Sequence, residues 1–554
     1  MNISRAEEFL RSRQRRSRKH SSPPTRSPSP TLGEPREFSY PTLPAVLISR
    51  RRLSPARPAG SGSRKQAPFS PTYPTGPFPG PTKQLPHSAT PRPGSKDSTA
   101  RRPPSWLILD RFVHRSRRYG VVDCDATASY PAEDCIGRRI SASLRIAGSP
   151  AVSRLYLHWP SRPWIQGMKE PAVIAAHGHS ILFKVYVPFC DPHCHRPCFF
   201  PIDYFVYSAP CSPFSPPRLR RLPVCKDGVH TEPDDRFFQP YRRQQQRVML
   251  DRGMGLLCHG EDGEFTVADL THCYYHEVEL CVLHDPPLGR RAEIGWSVER
   301  LQIPPDMHMR GLDLFSFNSD AVIPIHGCFL AWVDYYQGML LVDVLHADVD
   351  PQLNFIPLPA ETLLSCRVNY DEGCPDPARC VSVTDSGTIK LVCIITGTSP
   401  SFTIATWTLV DMDQGVWEKD GTAMEDIQFW GLYAGLNLPW VHPSFPVVSL
   451  VDPDVICFLL KEEDSHNFWM IEVNMRTEVL QSSAIYINEE EEERYSSKKT
   501  PRNFFDGHCF IPSKFSAYLE KDAITSQELS DVMQKKVIQR RAMQKSGLEA
   551  QPKK

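Results

Sequence analysis

The sequence predicts a mostly β protein whose antiparallel sheets repeat around an axis as in a β-propeller. Three observations carry that expectation. Short apolar or alternating runs bounded by Pro, Gly and Asp dominate the chain, long helical periodicity is scarce, and an apolar strand ending in an acidic residue recurs along it. "EFTVADL", "MLLVDVL", "TWTLVDMD" and "FWMIEVNM" place Asp269, Asp343, Asp411 and Glu472 at intervals of 74, 68 and 61 residues. "SWLILD", ending at Asp110, is an earlier member, and the 159 residues from it to Asp269 leave room for two more units. About six sheets of this size suggest radial repetition, with insertions such as "INEEEEERYSSKKTPRN" (run Glu489–Glu493) lengthening the intervals. A pair of stacked β-domains would give much the same strand list.

Taken in order, residues 1–104 come first, with 20 of the 54 prolines and 20 Lys+Arg against 5 Asp+Glu. That is a net charge of +15, which leaves −14 for residues 105–554. The segment cannot bury enough apolar surface to offset the entropy of ordering, so it is expected to be a disordered basic extension. Structure is expected to begin at "PSWLILDRFVHR". The runs "SRLYLHWP" (Ser153–Pro160), "AVIAAHGHSILFKVYVP" (Ala172–Pro188) and "DYFVYSAP" (Asp203–Pro210) then read as strands.

"AWVDYYQGMLLVDVL" (Ala331–Leu345) reads as a β-hairpin, with Asp334 at the mouth of its turn. Gly338 is expected to supply a positive φ, and Trp332, Met339 and Leu341 are expected to share one buried face. "TSQELSDVMQKKVIQRRAMQKS" is the clearest helical candidate, a short C-terminal helix within a charged tail, 521–554. The β-rich domain is therefore placed at 105–520.

Seventeen cysteines are an odd number in a long chain, and "MNISRAEEFLRSRQRRSRKH" has no apolar core for secretion. Reduced thiols and a cytoplasmic or nuclear protein are expected. No window approaches the roughly 18 uninterrupted apolar residues of a membrane span, so no membrane partner is expected. The basic cluster Arg11–Lys19 reads either as a solvated tail or as a nuclear localisation signal and phosphate contact. The acidic remainder would repel a phosphate backbone, which confines any nucleic-acid contact to that tail.

One stretch resembles a known family. "FNSDAVIPIHGCFLAWVDYYQGMLLVDVL" followed by "LNFIPLP", within 318–358, is similar to the signature of the plant "domain of unknown function 1618" family, expanded in grasses. In that signature a strand ending in Trp-Val-Asp meets a Gly-Ile/Met-Leu strand ending in Asp-Val-Leu. The resemblance extends through "SRLYLHWP", "AAHGHSILFKVYVP", "MGLLCHGEDGEFTVADL", "TWTLVDMDQGVWEKD" and "FIPSKFSAYLEKD", over most of 105–520. Tyr335, Tyr336 and Gln337 depart from the Leu-Trp-Arg-like turn more common there. The resemblance implies no reaction and no catalytic residues. Its strand layout is similar to the propeller-like regions associated with F-box proteins, but the proline-rich first hundred residues do not read as the helical F-box itself.

Candidate chemistry is sparse. "CDPHCHRPC" holds Cys190, Cys194, Cys198, His193 and His195, enough soft ligands for a zinc ion. Paired C-x-x-C knuckles are missing, and a surface loop of reduced cysteines is the simpler reading. "HGHS" (His177–Ser180) sets a serine beside two histidines, yet Ser180 is followed by a strand rather than by the second glycine of a nucleophile elbow, so a hairpin turn explains it better. Asp269, Asp343, Asp411 and Glu472 could form a carboxylate cluster only by converging, and propeller symmetry would scatter them. Turn and strand-end pinning is the simpler role, for Asp334 as well. Trp332, Trp407, Trp417, Trp430, Trp440 and Trp469 lie on strand-like runs and are expected to anchor the core rather than cage a ligand. No Walker or Rossmann fingerprint appears. No catalytic, cofactor or metal residue is assigned. The expected function is a non-catalytic protein-interaction scaffold with a protein partner, the alternatives being an enzyme with a site in the channel or top loops and a nucleic-acid-associated or zinc-stabilised regulator.

Overall fold

The computed structural model describes residues 104–115, 127–160, 169–188, 200–210, 215–226, 246–247, 249–260, 263–274, 276–286, 294–325, 327–346, 353–366, 378–396, 401–421, 423–461, 468–487 and 510–519. All lie in one compact unit, Lys96–Lys554. The basic extension (but for Pro104), the Cys190–Cys198 loop, the Glu489–Glu493 run and the 521–554 tail with its expected helix fall outside them.

Six sheets follow one another along the chain, five of them wholly antiparallel and blade 1 mixed. Blade 2 comprises β6 (Ala172–His177), β7 (Ser180–Tyr186), β8 (Ile202–Ser208) and β9 (Arg218–Arg221). Blade 3 comprises β10 (Met254–His259), β11 (Glu264–Tyr274), β12 (Glu277–Asp285) and β13 (Trp296–Gln302). Blade 4 comprises β14 (Ala321–Ile325), β15 (Phe329–Asp334), β16 (Gly338–Asp343) and β17 (Leu353–Pro357). Blade 5 comprises β18 (Arg379–Val383), β19 (Ile389–Thr396), β20 (Phe402–Asp411) and β21 (Val416–Lys419), with the short β22 (Met424–Glu425) added to β20. Blade 6 comprises β23 (Pro443–Val448), β24 (Val455–Lys461), β25 (Phe468–Asn474) and β26 (Val479–Ile487).

Blade 1 is built from both ends of the described chain. Its order is β27 (Phe510–Ser513), β1 (Leu107–Asp110), β5 (Val152–His158), β4 (Arg139–Arg145) and β3 (Ala132–Glu133), with β2 (His114–Arg115) also on β5. The late strand β27 pairs antiparallel with β1, Leu107 opposite Ser513 and Asp110 opposite Phe510. The first strand of every blade then touches the first strands of its two neighbours, in the cycle β27, β6, β10, β14, β18, β23 and back to β27. The ring is closed.

Packing explains why the strands read as near-continuous apolar runs. Each sheet is sandwiched between two others, so both of its faces are buried. Six hydrophobic clusters result, one at each blade junction. In blade 4, Leu330, Trp332, Leu340 and Val342 face blade 3, whereas Ala331, Val333, Met339 and Leu341 face blade 5. Trp332 is thus on the opposite face from Met339 and Leu341, a correction to the single buried face expected, because its register partner across the turn is Leu340.

The hairpin itself forms as expected, with Asp334 opposite Gly338. Gly338 is required for a different reason from the one foreseen. It is absent from the positive-φ glycines, and a Cβ there would lie 2.4 Å from the Ile356 carbonyl oxygen of the next strand.

Three short helices decorate the sheets: α1 (Pro305–Met309), α2 (Ala360–Cys366) and α3 (Asp426–Gly431). A final helical turn occupies 515–519 after the closing strand. Among the described residues no helix is long and apolar enough to cross a membrane.

Candidate functional site

The ring of first strands encloses a channel with a cavity of about 820 Å³. Its wall is about equally polar and apolar, with Ile174, Met254, Leu256, Ile323 and Ile325 among the apolar lining residues. Polar groups gather where the first strands end: His177 and His179 from the β6–β7 turn, Cys258 from β10, Asp385 after β18, and Lys514 and Tyr518 after β27.

Local sequence sets this end of the channel. Gly178 takes φ +50°, so the two-residue turn His177-Gly178-His179-Ser180 closes with His177 opposite Ser180. A Cβ on Gly178 would meet Cys258 Cβ at 3.1 Å and the Tyr518 hydroxyl at 3.4 Å, so the glycine also permits close approach of blade 3 and the terminal turn. The Cys258 backbone N–H donates to His177 Nδ1 at 2.8 Å, and its thiol donates to the His177 carbonyl at 2.9 Å. His179 Nδ1 lies 2.8 Å from Ser180 Oγ, which is 2.7 Å from Ser208 Oγ. The His179 ring meets the Tyr518 ring edge-on at 5.7 Å. Its Nε2 is buried without a hydrogen-bond partner.

Burial holds these groups uncharged. It pushes the Cys258 thiol up to about 12 and His177 down to about 4, the latter helped by His179 and Lys514. Burial likewise lowers His179 and raises Tyr518. Cys258 Sγ and His179 Nδ1 stand 3.9 Å apart, a thiol beside a neutral imidazole rather than a thiolate–imidazolium pair. The wall offers hydrogen bonds, with the Lys514–Asp385 ion pair at its rim.

Ser180 is fully buried and spends its hydroxyl on His179 and Ser208, in keeping with the turn reading. The acidic residues do not converge. Asp343, Asp411 and Glu472 lie on the third strands of blades 4, 5 and 6, but Asp269 lies on the second strand of blade 3. The residue that ends the third strand of blade 3 is Asp285, so the repeat was in register for three members only. Asp411 and Asp110 are satisfied within their own turns, whereas Glu472, inside its strand, reaches across to Ser149 of blade 1. Asp411 accepts from Gln414 N at 2.9 Å, and Glu472 accepts from Ser149 Oγ at 2.8 Å and Ser482 Oγ at 2.7 Å. Asp110 accepts from Phe112 N at 3.0 Å and lies 3.2 Å from His114 Nε2. Asp269 sits on the wall of a second cavity, about 470 Å³, beside Trp332 and Leu340. Burial raises it to about 7 against the opposing pull of Arg247.

The tryptophans divide. Trp332 and Trp407 are core anchors, with Trp332 Nε1 donating to the Gly253 carbonyl at 2.7 Å. Trp417 and Trp430 are half-buried, with indole N–H groups donating to the Pro357 and Val441 carbonyls, and Trp469 is half-buried against the blade 5–6 core. Trp440 corrects the expectation: it is 62% exposed, because it follows the chain out of the blade 5–6 junction, and stacks on Trp430 at 6.3 Å and 15°. Two groupings had no linear signal: the channel-end set, drawn from four blades, and a trio of Cys328, Asp343 and His346 on blade 4.

Six blades around a channel define the class of protein: a six-bladed β-propeller. Residues 332–457 match the family model described as "Protein of unknown function (DUF1618)", so the chain carries a DUF1618 domain. The match runs from the second strand of blade 4 to the second strand of blade 6, which cuts across the blades. No curated protein matches the chain. Among solved structures, the α-L-arabinofuranosidase PaAbf62A from Podospora anserina is similar at 9% identity, over 67% of this chain and 92% of that one, with a TM-score of 0.26. An ulvan lyase of family PL25 is similar at 7% identity, over 69% and 87%, at 0.27, and the polysaccharide lyase Uly1 at 10%, over 67% and 86%, at 0.26. Likeness at that level transfers no activity to this chain.

Proposed function

We propose that this propeller is a non-catalytic protein-interaction module that grips a cationic, apolar-bearing segment of a partner protein at the connection between blades 5 and 6. The observation that carries the reading is the aromatic ridge on that connection. Ile427 is 77% exposed, and the exposed Trp440 is stacked on Trp430, three residues along α3 from Ile427. Neighbours three apart on a helix share a face, so the three side chains make one apolar strip. The strip is held rigid from below, since Phe429 and Tyr433 of the same segment are fully buried between blades 5 and 6. Rigid aromatic anchors bind at low entropic cost.

Charge selects the partner. Between Gly421 and His442 the segment contains Glu425 and Asp426 and neither Lys nor Arg, whereas Asp420 before it is already paired with Lys390. An indole face with acids beside it suits Arg or Lys interspersed with apolar or proline residues. The test is to purify the full chain and an Ile427→Asp, Trp440→Ala variant under gentle conditions and identify bound proteins by mass spectrometry. Both side chains are exposed, so the variant should keep its denaturation midpoint. The expected result is a stoichiometric partner, bound through a basic segment, that the variant loses. A partner retained equally by both would overturn the reading.

A second reading, a small-molecule or enzymatic site in the channel, is favoured by the unpartnered His179 Nε2 on the cavity wall. Protein that carries no partner but releases a defined small molecule on denaturation would favour that reading over the first.

A further inference from the structure

Blade 4 brings together three side chains of zinc-binding type that the sequence keeps apart. Cys328 stands 15 residues before Asp343, and His346 follows Asp343 by three. The β14–β15 turn, with Gly327 at φ +87°, delivers Cys328 to the start of β15, where Phe329 pairs with Asp343. The Val344 N–H donates to the Cys328 carbonyl at 2.9 Å and locks that end of the hairpin. One donor atom from each of Cys328, Asp343 and His346 lies within 4.8 Å of the other two. His346 Nδ1 and Asp343 Oδ2 are 2.9 Å apart.

The trio is ordered as a ligand set would be. Asp343 Oδ1 is occupied by the backbone N–H groups of Leu345 (3.0 Å) and His346 (3.1 Å), which fixes the carboxylate and leaves Oδ2 facing the cysteine and the histidine. The Asp343 side chain is buried and that of His346 is 66% exposed, so the set is anchored on one side and open to water on the other. Donors around a tetrahedral zinc, at bond lengths of about 2.0–2.3 Å, stand roughly 3 to 4 Å from one another, a spacing that small rotations of the exposed His346 reach. A thiolate, an imidazole and a carboxylate suit Zn²⁺ over the hard cations Mg²⁺ and Ca²⁺.

We propose that Cys328, Asp343 and His346 bind one Zn²⁺ ion, with the fourth position taken by water. The Sγ–Zn bond forms as the thiol proton leaves to solvent, and no electron is transferred. The site stands apart from the Trp430–Trp440 ridge and does not depend on the interaction reading.

The test uses the full chain, stripped with chelator under reducing conditions and titrated with ZnCl₂ by calorimetry, then with Co²⁺ followed by absorption. The wild type should bind one equivalent more than either Cys328→Ser or His346→Ala, and the sulfur-to-cobalt charge-transfer band of this site should be missing from Cys328→Ser. Any zinc held by the Cys190–Cys198 loop stays in both variants and cancels in the comparison. His346→Ala removes only an exposed ring, so it keeps the test valid if Cys328→Ser fails to fold. Equal stoichiometry and affinity in the wild type and His346→Ala would overturn the proposal.

Discussion

Asp334 and Asp343 sit in one of the most apolar windows of the chain, at 2% and 5% exposure. Asp334 accepts from the backbone N–H groups of Asn318 and Tyr336, each at 2.8 Å, and so ties the β15–β16 turn to the connection from blade 3. Asp343 does the same for the turn after β16. A buried acceptor removed from such donors leaves N–H groups unsatisfied, at a cost of about 1–3 kcal/mol per site. Asparagine keeps one acceptor oxygen and turns the other into a donor, so the double variant Asp334→Asn, Asp343→Asn loses a backbone partner chiefly at Asp334, whose two oxygens serve two N–H groups. It is expected to lower the urea midpoint by the equivalent of about 1–3 kcal/mol. An unchanged midpoint would contradict the pinning role. Asp269 makes a different prediction. Its folded value is raised to about 7, above the roughly 3.9 of an unfolded Asp, so between those limits the folded state holds a proton the unfolded state has lost. Its contribution to stability is greatest below the unfolded value and falls as pH rises through the folded one. Asp203, raised to about 6 by burial, slopes the same way, so the wild type alone does not separate them. Asp269→Asn should flatten the loss of stability between about pH 4 and 7 relative to wild type, and parallel profiles would remove Asp269 as its source.

Strand β27 supplies what the other elements cannot. It fills the first position of blade 1, beside β1, and the turn after it buries Phe515 completely in the blade 1–2 core. Blade junction 6–1 depends on it as well, through Phe510 against Tyr486 at 5.1 Å and Phe445 at 6.4 Å. A chain ending at residue 509 should lose the single cooperative melt of the full chain by circular dichroism and bind a hydrophobic dye at ambient temperature. Retention of the wild-type melt would show that the ring does not need this closure. Most strands were legible from their boundaries, because Pro, Gly and Asp punctuate them and β-branched residues fill them: "SRLYLHWP", "DYFVYSAP" and the β15–β16 hairpin all fall where the pattern puts them. The closing strand was legible only as the quoted segment "FIPSKFSAYLEKD". Its partner lies some four hundred residues away in sequence, and no local pattern encodes which edge a short strand will join.

For the whole molecule, the repeat of apolar strands indicated radial sheets, and the ring of six blades bears that out. The slip at Asp269 came from reading an acidic residue as the marker of one strand position, when buried carboxylates here end second strands (Asp334) as well as third strands (Asp343). Trp440 was misplaced because an indole near strand-like residues looks the same in sequence whether it turns into a junction or rides outside on another tryptophan. The candidate sites were not legible. His177, Cys258, Lys514 and Tyr518 meet only because the first strands of blades 1, 2 and 3 converge at the end of the channel, and Cys328 meets His346 only because β15 and β16 are adjacent. The sequence by itself determined most of the strands and the blade-like repetition, since these follow from local periodicity and turn chemistry. Tertiary structure alone decided the closure of the ring and the identity of every side-chain cluster, since those depend on which distant strands share an edge and on how burial in a closed ring holds their groups.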